Sequence, residues 1–244
     1  MTSCKEAIKD IEVDGKVAAE MEEVRLCPIS NMKPLIAKMD NSLSGLKKCK
    51  QLRMSSNAIG KIEGLAGCDS LTILSLARNN LKKIEGLNEV ADTLEQLWVS
   101  YNQIGSFAGI EKLTNLQVLY SSNNKIGNWA DVERLQALPK LRELNLVNNP
   151  LYQKHEADGD WRLQVIKRLP NLKNLDGCLI DDEEREAVRA AAQRARAASG
   201  RLSSRAARTP MPPCASSRSH ALCRSHLFRR HRPRTFRQPL RSGV

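Results

Sequence analysis

The chain has 244 residues, of which 41% are hydrophobic and 27% are charged, and its formal net charge is +12. The positive charge is confined to one end: residues 1–186 hold 25 Lys and Arg against 27 Asp and Glu, whereas residues 187–244 hold 14 Arg and no acidic residue. The first segment is long enough to bury one sizeable core. No run of about 18 apolar residues is present, so we expect a soluble, intracellular chain that does not cross or bind a membrane.

The amino-terminal segment, residues 1–23, is predicted to be a helical cap. Apolar Ala7, Ile8 and Ile11 alternate with charged residues at helical spacing. Residues 24–48 then place Leu and Ile at intervals that resemble those of the following segment, but they lack its regular asparagine. We interpret them as a degenerate first unit, because the end of a stacked array has to be modified to cover its open edge.

One pattern then recurs four times with little change. It runs Leu71-x-x-Leu74-x-Leu76-x-x-Asn79-x-Leu81, Leu94-x-x-Leu97-x-Val99-x-x-Asn102-x-Ile104, Leu116-x-x-Leu119-x-Ser121-x-x-Asn124-x-Ile126 and Leu141-x-x-Leu144-x-Leu146-x-x-Asn149-x-Leu151. A weaker copy begins at Cys49, with its asparagine at Asn57 and Cys49 itself at a leucine position, where we expect it to be buried. Steps of 22 to 25 residues are typical of leucine-rich repeats. The pattern predicts an α/β solenoid with a parallel strand face and helical amino- and carboxy-terminal caps.

The pattern changes after Pro150. A helix is predicted from Asp160 to Leu169, and the run from Leu169 to Gly177 is interpreted as the far cap, so that the solenoid spans residues 24–178. A carboxy-terminal helix is predicted over residues 179–198, with acidic residues in its first turn. The remaining Arg/Ser/Pro-rich tail, residues 199–244, is predicted to be disordered because it has too little apolar surface to bury.

The outward side chains of the strands form the best candidate binding surface. Alternation places Arg53, Ser75, Trp98, Tyr120 and Asn145 in one row and Ser55, Ala77, Ser100, Ser122 and Val147 in the next. Trp98 and Tyr120 are expected to lie side by side and exposed. Aromatic residues of this kind often supply the dominant contacts of an interface, although a pair that only packs over the sheet is the alternative.

A catalytic or metal site is not expected. His155, Glu156, Asp158 and Asp160 place one histidine among acidic residues, but a single histidine in such a segment is more typical of a solvated loop than of a metal site. The sequence also lacks phosphate-binding, dinucleotide-binding, metalloprotease and serine-hydrolase motifs. We therefore predict a protein that is not an enzyme and has neither a cofactor nor a small-molecule substrate.

Four segments resemble the axonemal dynein light chain 1 family, over about residues 1–190. They are Ile36-Ala-Lys-Met-Asp-Asn-Ser-Leu43, Leu94-Glu-Gln-Leu-Trp-Val-Ser-Tyr-Asn102, Asn149-Pro-Leu-Tyr-Gln-Lys-His155 and Lys167-Arg-Leu-Pro-Asn-Leu-Lys-Asn-Leu-Asp-Gly177. The resemblance implies a non-catalytic subunit of the outer dynein arm of cilia and flagella. It implies binding to the motor domain of an outer-arm heavy chain, at the stalk head near the microtubule-binding region, where the subunit modulates motility.

The resemblance also implies a site on the carboxy-terminal helix. Members of the family carry a methionine after Leu-Asp-Gly and an arginine seven residues later, and both are associated with engaging the motor. Arg185 matches the arginine and is therefore a candidate partner-binding residue, whereas Cys178 stands at the methionine position. The implied locations are the cytoplasm, the cytoskeleton and the axoneme of the cilium or flagellum.

Other partners stay open at this point. Tubulin is a possible additional partner, since the Arg-rich tail could bind its acidic surface. The repeat also resembles a regulatory subunit of protein phosphatase 1 and a leucine-rich splicing protein that binds an RNA-recognition module, so a scaffold for a phosphatase or an RNA-processing partner is the alternative function. Nucleic acid itself is not expected as a partner.

Overall fold

A computed structural model of the protein describes residues 2–12, 17–28 and 35–206. Its strands are β1 Thr2–Ser3, β2 Glu23–Arg25, β3 Ile36–Lys38, β4 Gln51–Arg53, β5 Ile73–Ser75, β6 Gln96–Trp98, β7 Val118–Tyr120, β8 Glu143–Asn145, β9 Asn174–Leu175 and β10 Cys178–Leu179. Its α-helices are α1 Cys4–Glu12, α2 Trp129–Arg134, α3 Pro150–Glu156, α4 Trp161–Arg168 and α5 Asp182–Ala206. Short 3₁₀ turns at Ala18–Glu20, Asn41–Gly45, Asn88–Val90, Ile110–Lys112 and Leu135–Ala137 lie between them.

Eight strands form one sheet in the order β2, β4, β5, β6, β7, β8, β9 and β10. The pairs from β2 to β9 are parallel, and only β10 runs antiparallel, to β9. Each repeat contributes one three-residue strand and then returns by a turn on the opposite side. The predicted leucine-rich-repeat solenoid with its parallel strand face is therefore confirmed.

The core is one continuous cluster, and each strand from β4 to β8 contributes an inward leucine to it. Leu52, Leu74, Leu97, Leu119 and Leu144 are partners in adjacent strands and are all buried. Cys49 is buried as predicted from its leucine position, and burial raises the pKa of its thiol to about 11. Apolar side chains that no single repeat could bury are thus covered by the neighbouring repeats.

The recurring asparagines form a ladder of buried amides. In Asn102, Oδ1 accepts from the N–H of Leu81 at 2.9 Å, and Nδ2 donates at 3.0 Å to the carbonyls of Leu76 and Val99. The amides of Asn57, Asn79, Asn124 and Asn149 make the equivalent bonds in their own repeats. Each amide therefore satisfies backbone groups of two successive repeats that the turn would otherwise leave unpaired.

Glycines on the return side of the solenoid allow the repeats to approach closely. Gly86 has φ +80°, and a Cβ at this position would overlap the carbonyl oxygen of Ile62 in the preceding repeat. Gly109 has φ +96° and lies in the same way against Ile84. Both the left-handed backbone and the short distance require a residue without a side chain.

The amino-terminal end begins with β1 and α1. Helix α1 packs Cys4 and Ile8 against the core, and the N–H of Cys4 donates to Asp40 Oδ2 at 3.1 Å. The helix is shorter than the cap predicted for residues 1–23, because β1 pairs with β3 and a 3₁₀ turn follows at Ala18–Glu20. None of the helices in the described ranges combines the length and the apolar character that crossing a membrane requires.

The carboxy-terminal end is closed by Asp176, α4 and the start of α5. Asp176 accepts from the N–H of Leu146 at 2.8 Å and from Trp161 Nε1 at 2.7 Å, and burial raises the pKa of its carboxyl. Arg162 on α4 forms a two-point ion pair with Glu184 on α5, at 2.6 and 2.8 Å. We call this pair the clasp.

Helix α5 differs from its prediction in length. It spans Asp182–Ala206, whereas the sequence analysis placed the helix at residues 179–198 and treated 199 onward as disordered. The boundary between the helix and the disordered tail, placed at residues 198 and 199 from the sequence, stays a prediction. The predicted disorder of residues 207–244 lies outside the described residues.

Candidate functional site

The strand register brings the predicted surface residues together. Arg53, Ser75, Trp98, Tyr120 and Asn145 are direct partners in successive parallel strands, so they form one continuous row as predicted. The bond between the hydroxyls of Ser55 and Ser75, at 2.8 Å, joins this row to the next, and the bond between Ser122 and Ser100, at 3.0 Å, links two strands within the second row. We call the two rows together the strand face.

Trp98 and Tyr120 form the aromatic centre of the strand face. Their ring centroids lie 5.9 Å apart, with the planes inclined by 30°. They lie side by side as expected, but both residues are half-buried rather than exposed. Tyr120 donates its hydroxyl proton to Glu143 Oε2 at 3.0 Å, and burial together with this bond raises the pKa of Tyr120.

Arg53 covers one side of this centre. Its guanidinium lies 5.8 Å from the centre of the Trp98 ring, and its Nε lies 3.0 Å from Glu23 Oε1. Glu23 also accepts from Arg25 at 2.9 Å, and this bond, with both guanidinium groups nearby, lowers the pKa of the Glu23 carboxyl. Trp98 Nε1 is buried and has no acceptor within the described residues.

Ser75 is a predicted site residue that is buried in the structure. Its exposed fraction is 3%, and its hydroxyl is bonded to Ser55. Arg53 and Trp98 lie on the two flanking strands and meet above it, and their long side chains shield the short one. Ser75 therefore supports the strand face but cannot contact a partner directly.

The other predicted residues of the strand face are half-buried. Ser100 and Ser122 share their hydroxyl bond, and Asn145 Oδ1 accepts from the N–H of Val147 at 3.3 Å. The surface thus combines two aromatic rings with small or polar neighbours and has one arginine at one edge. An arrangement of this kind can bind a protein surface, and its hydrogen bonds hold the side chains in fixed positions before binding.

Arg185 lies outside the strand face and is used within the chain. Its guanidinium donates to the carbonyl oxygens of Pro170 and Leu172, both at 2.6 Å. These bonds fasten α5 to the cap, while Cys178, at the family's methionine position, lies exposed on β10. Only the remaining N–H groups of Arg185 are free for a partner, and its role in binding stays a prediction.

The histidine cluster matches the expected solvated loop in part: Glu156 and Asp158 are exposed, whereas His155 is half-buried and bonded on both sides of its ring. His155 lies on α3, and its Nε2 accepts from Trp129 Nε1 at 3.0 Å. The proton is therefore on Nδ1, which donates to Asp160 Oδ1 at 2.9 Å and lowers the pKa of that carboxyl. Asp158 lies in the same group. A metal ion would have to replace both bonds of the imidazole ring, so the arrangement fits packing better than coordination.

A second surface was missed by the sequence analysis. The residue before each repeat asparagine has a left-handed backbone, with φ between +54° and +61°, and these residues line the edge of the strand face: Ser56, Arg78, Tyr101, Asn123 and Asn148. We call this line the turn ridge. Tyr101 is 52% exposed, and the Arg78 guanidinium lies 5.3 Å from the centre of its ring.

Arg78 and Tyr101 are unexpected at positions with a left-handed backbone. Such a conformation costs a residue with a side chain about 1–2 kcal/mol, and an exposed cation–π contact returns about 0.5–1 kcal/mol. Asparagine tolerates this backbone best among residues with a Cβ, and it occupies two of the five positions. The signal was present in the sequence, because an arginine and a tyrosine stand at a repeat position that favours Asn or Gly.

Comparison with known proteins gives the family. No protein-family profile matches the chain. Dynein axonemal light chain 1 of Chlamydomonas reinhardtii is 53% identical over 189 residues, which are 76% of this chain and 94% of that protein. Proteins of the same name are 50% identical in Ciona intestinalis, over 76% of this chain and 97% of theirs, and 44% identical in Homo sapiens, over 75% and 97%.

Solved structures agree on the fold. The crystal structure of the Drosophila melanogaster SNF/U2A′ complex contains a chain that superposes with a TM-score of 0.54 at 23% identity, covering 63% of this chain and 91% of that one. Identity at this level shows a shared fold and nothing about shared partners. The identities to the light chains are about twice as high and extend over almost their whole length. The chain therefore belongs to the dynein axonemal light chain 1 family.

Proposed function

We propose that this protein is a non-catalytic light chain that binds the motor domain of an outer-arm axonemal dynein heavy chain and modulates ciliary motility. Its position would be the stalk head, close to the microtubule-binding region, and tubulin would be a possible second contact. Its location would be the axoneme, with a pool in the cytoplasm before assembly. Membership of the dynein axonemal light chain 1 family carries this proposal.

The strand face is the proposed contact with the heavy chain. Trp98 and Tyr120 offer two adjacent aromatic rings, and Arg53 and Glu143 hold them in place from either side. Rigid aromatic residues lose little conformational entropy on binding and commonly dominate an interface. The contact would then be strongest at the centre of the row and weaker towards Asn145 and Val147.

A binding measurement with the full chain tests the proposal. The stalk head of an outer-arm heavy chain is titrated with the native protein, with the Trp98→Ala, Tyr120→Ala double variant and with Arg142→Ala. We expect the double variant to lose about 2 kcal/mol or more of binding free energy, which is roughly thirtyfold in Kd. Arg142 is exposed just before β8, so its variant should bind like the native protein.

Each alternative outcome points to a different conclusion. If the native chain does not bind the stalk head, the proposal is wrong. If the double variant binds as well as the native chain, the strand face is not the contact, and Arg185 becomes the next residue to test. Circular dichroism of each variant confirms that loss of binding is not loss of folding.

A further inference from the structure

The turn ridge is continuous with the strand face. The N–H of Arg78 donates to the carbonyl of Ser100, and the N–H of Tyr101 donates to that of Ser122, both at 2.9 Å. Ser100 and Ser122 belong to the second row of the strand face. A chain that lies across Trp98 and Tyr120 can therefore continue over Tyr101 without crossing a gap.

The charges beside the ridge are one-sided. None of the five ridge residues is acidic, and Arg78 is joined in the following loops by the exposed residues Lys82 and Lys125. None of these three cations forms an ion pair within the ranges that the structure covers. By contrast, Lys61 and Lys83 are paired with the glutamates two residues after them.

Stability does not explain the composition of the ridge. Asn123 and Asn148 show that asparagine fits the same turn, and Nδ2 of Asn148 also bonds Asn123 Oδ1 at 3.2 Å. Arg78 and Tyr101 instead hold an unfavourable backbone, and their side chains point to solvent, where they contact each other. Backbone strain that core packing does not offset is commonly found at residues that take part in binding.

We propose that the turn ridge around Arg78 and Tyr101 is a second docking line for the dynein heavy chain, which receives an acidic segment of that chain. Acidic side chains would pair with Arg78, Lys82 and Lys125, and an apolar side chain of the segment would rest on the Tyr101 ring. The inference builds on the proposed function, since it assigns the ridge to the same partner as the strand face. It adds the chemistry of the segment and the residues that select it.

The test uses variants in which folding and binding should change in opposite directions. Tyr101→Asn and Arg78→Asn remove the side chains but suit the left-handed backbone better. We expect both variants to unfold at a temperature equal to or above that of the native chain. We also expect each to bind the heavy-chain stalk head about tenfold more weakly at low salt.

Salt dependence separates the two contributions. Removing Arg78 should flatten the decrease of affinity between about 50 and 200 mM salt, because a paired charge contributes to that slope and an aromatic contact does not. Lys83→Asn is the matched control: it removes one exposed positive charge that is already paired with Glu85, and it should leave affinity and slope unchanged.

The outcomes distinguish the two proposals. Absence of binding by the native chain overturns both the heavy-chain assignment and the role of the ridge. Binding that is lost in the Trp98→Ala, Tyr120→Ala variant but unchanged within twofold in Tyr101→Asn and Arg78→Asn overturns the ridge alone. Weaker binding of both ridge variants, with native or higher thermal stability, supports the inference.

Discussion

The asparagine ladder and the strand face use the same repeats in opposite ways. Inside the turns, one residue type recurs and makes the same bonds in every repeat. On the strand face, each strand contributes a different residue, from Arg53 through Trp98 to Asn145. Positions that must be identical hold the repeats together, and positions that are free to vary can be matched to a partner.

The largest expected effect comes from removing one amide of the ladder. Asn102→Ala leaves the N–H of Leu81 and the carbonyls of Leu76 and Val99 without their buried partner. We expect the free energy of unfolding to fall by about 3–5 kcal/mol, since buried unsatisfied groups cost about 1–3 kcal/mol each. Urea denaturation measures the change. Asn145→Ala on the strand face is the control, and an equal loss there would contradict the division between ladder and face.

A smaller loss is expected at the glycines of the return side. Gly86→Ala puts a Cβ against the carbonyl of Ile62 in a left-handed backbone, so we expect a loss of about 2–3 kcal/mol. Gly105→Ala is the matched control, because a Cβ there meets no atom within 4 Å and the backbone is not left-handed. That variant should be neutral or gain about 0.4–1 kcal/mol. Thermal unfolding of both variants measures the difference. A similar loss of stability in Gly105→Ala would refute the close-approach argument.

The smallest expected effect concerns the clasp, the ion pair between Arg162 and Glu184. This effect depends on pH. The bond to Arg162 lowers the pKa of Glu184 from its usual value of 4.5. A carboxyl with a lowered pKa in the folded state stabilises the fold above its unfolded pKa, and this stabilisation is lost as the pH falls through the folded pKa. Glu184→Gln should therefore cost about 1 kcal/mol at pH 7, and less as the pH falls below 4.5.

Chemical denaturation at pH 7 and in the acid range measures this difference. Glu186→Gln, an exposed change on the same helix, is the control and should show no such trend. Asp176 has a raised pKa and therefore the opposite dependence, but it is present in both proteins, so its contribution cancels. A Glu184→Gln penalty that stays constant with pH would show that the clasp does not act through its charge.

The repeat spacing was sufficient to predict the solenoid and the register of its strands. Since the pattern repeats every 22 to 25 residues, it aligns Trp98 with Tyr120 before any coordinates are known. Strand alternation fixes only the side on which a residue lies. It could not predict that Arg53 and Trp98 would meet above Ser75 and bury it, because that depends on the length and direction of side chains.

Other features depend on partners that are distant in sequence. His155 is fixed by Trp129, which precedes it by 26 residues, so its own neighbourhood suggested only a polar loop. The left-handed backbone of Tyr101 is a property of the turn rather than of tyrosine, so only a comparison of this position across the repeats, and not residue propensity, could have predicted it.

Each amide of the ladder bonds its own strand and the one before it, so no repeat can open without breaking a bond of its neighbour. Opening is therefore cooperative along the array, and the central repeats should exchange their amide hydrogens only when the whole stack unfolds. The strand face keeps its register as a consequence. We expect a repeat array built in this way to resist bending, so that under the proposed function it would stiffen the region of the heavy chain to which it binds.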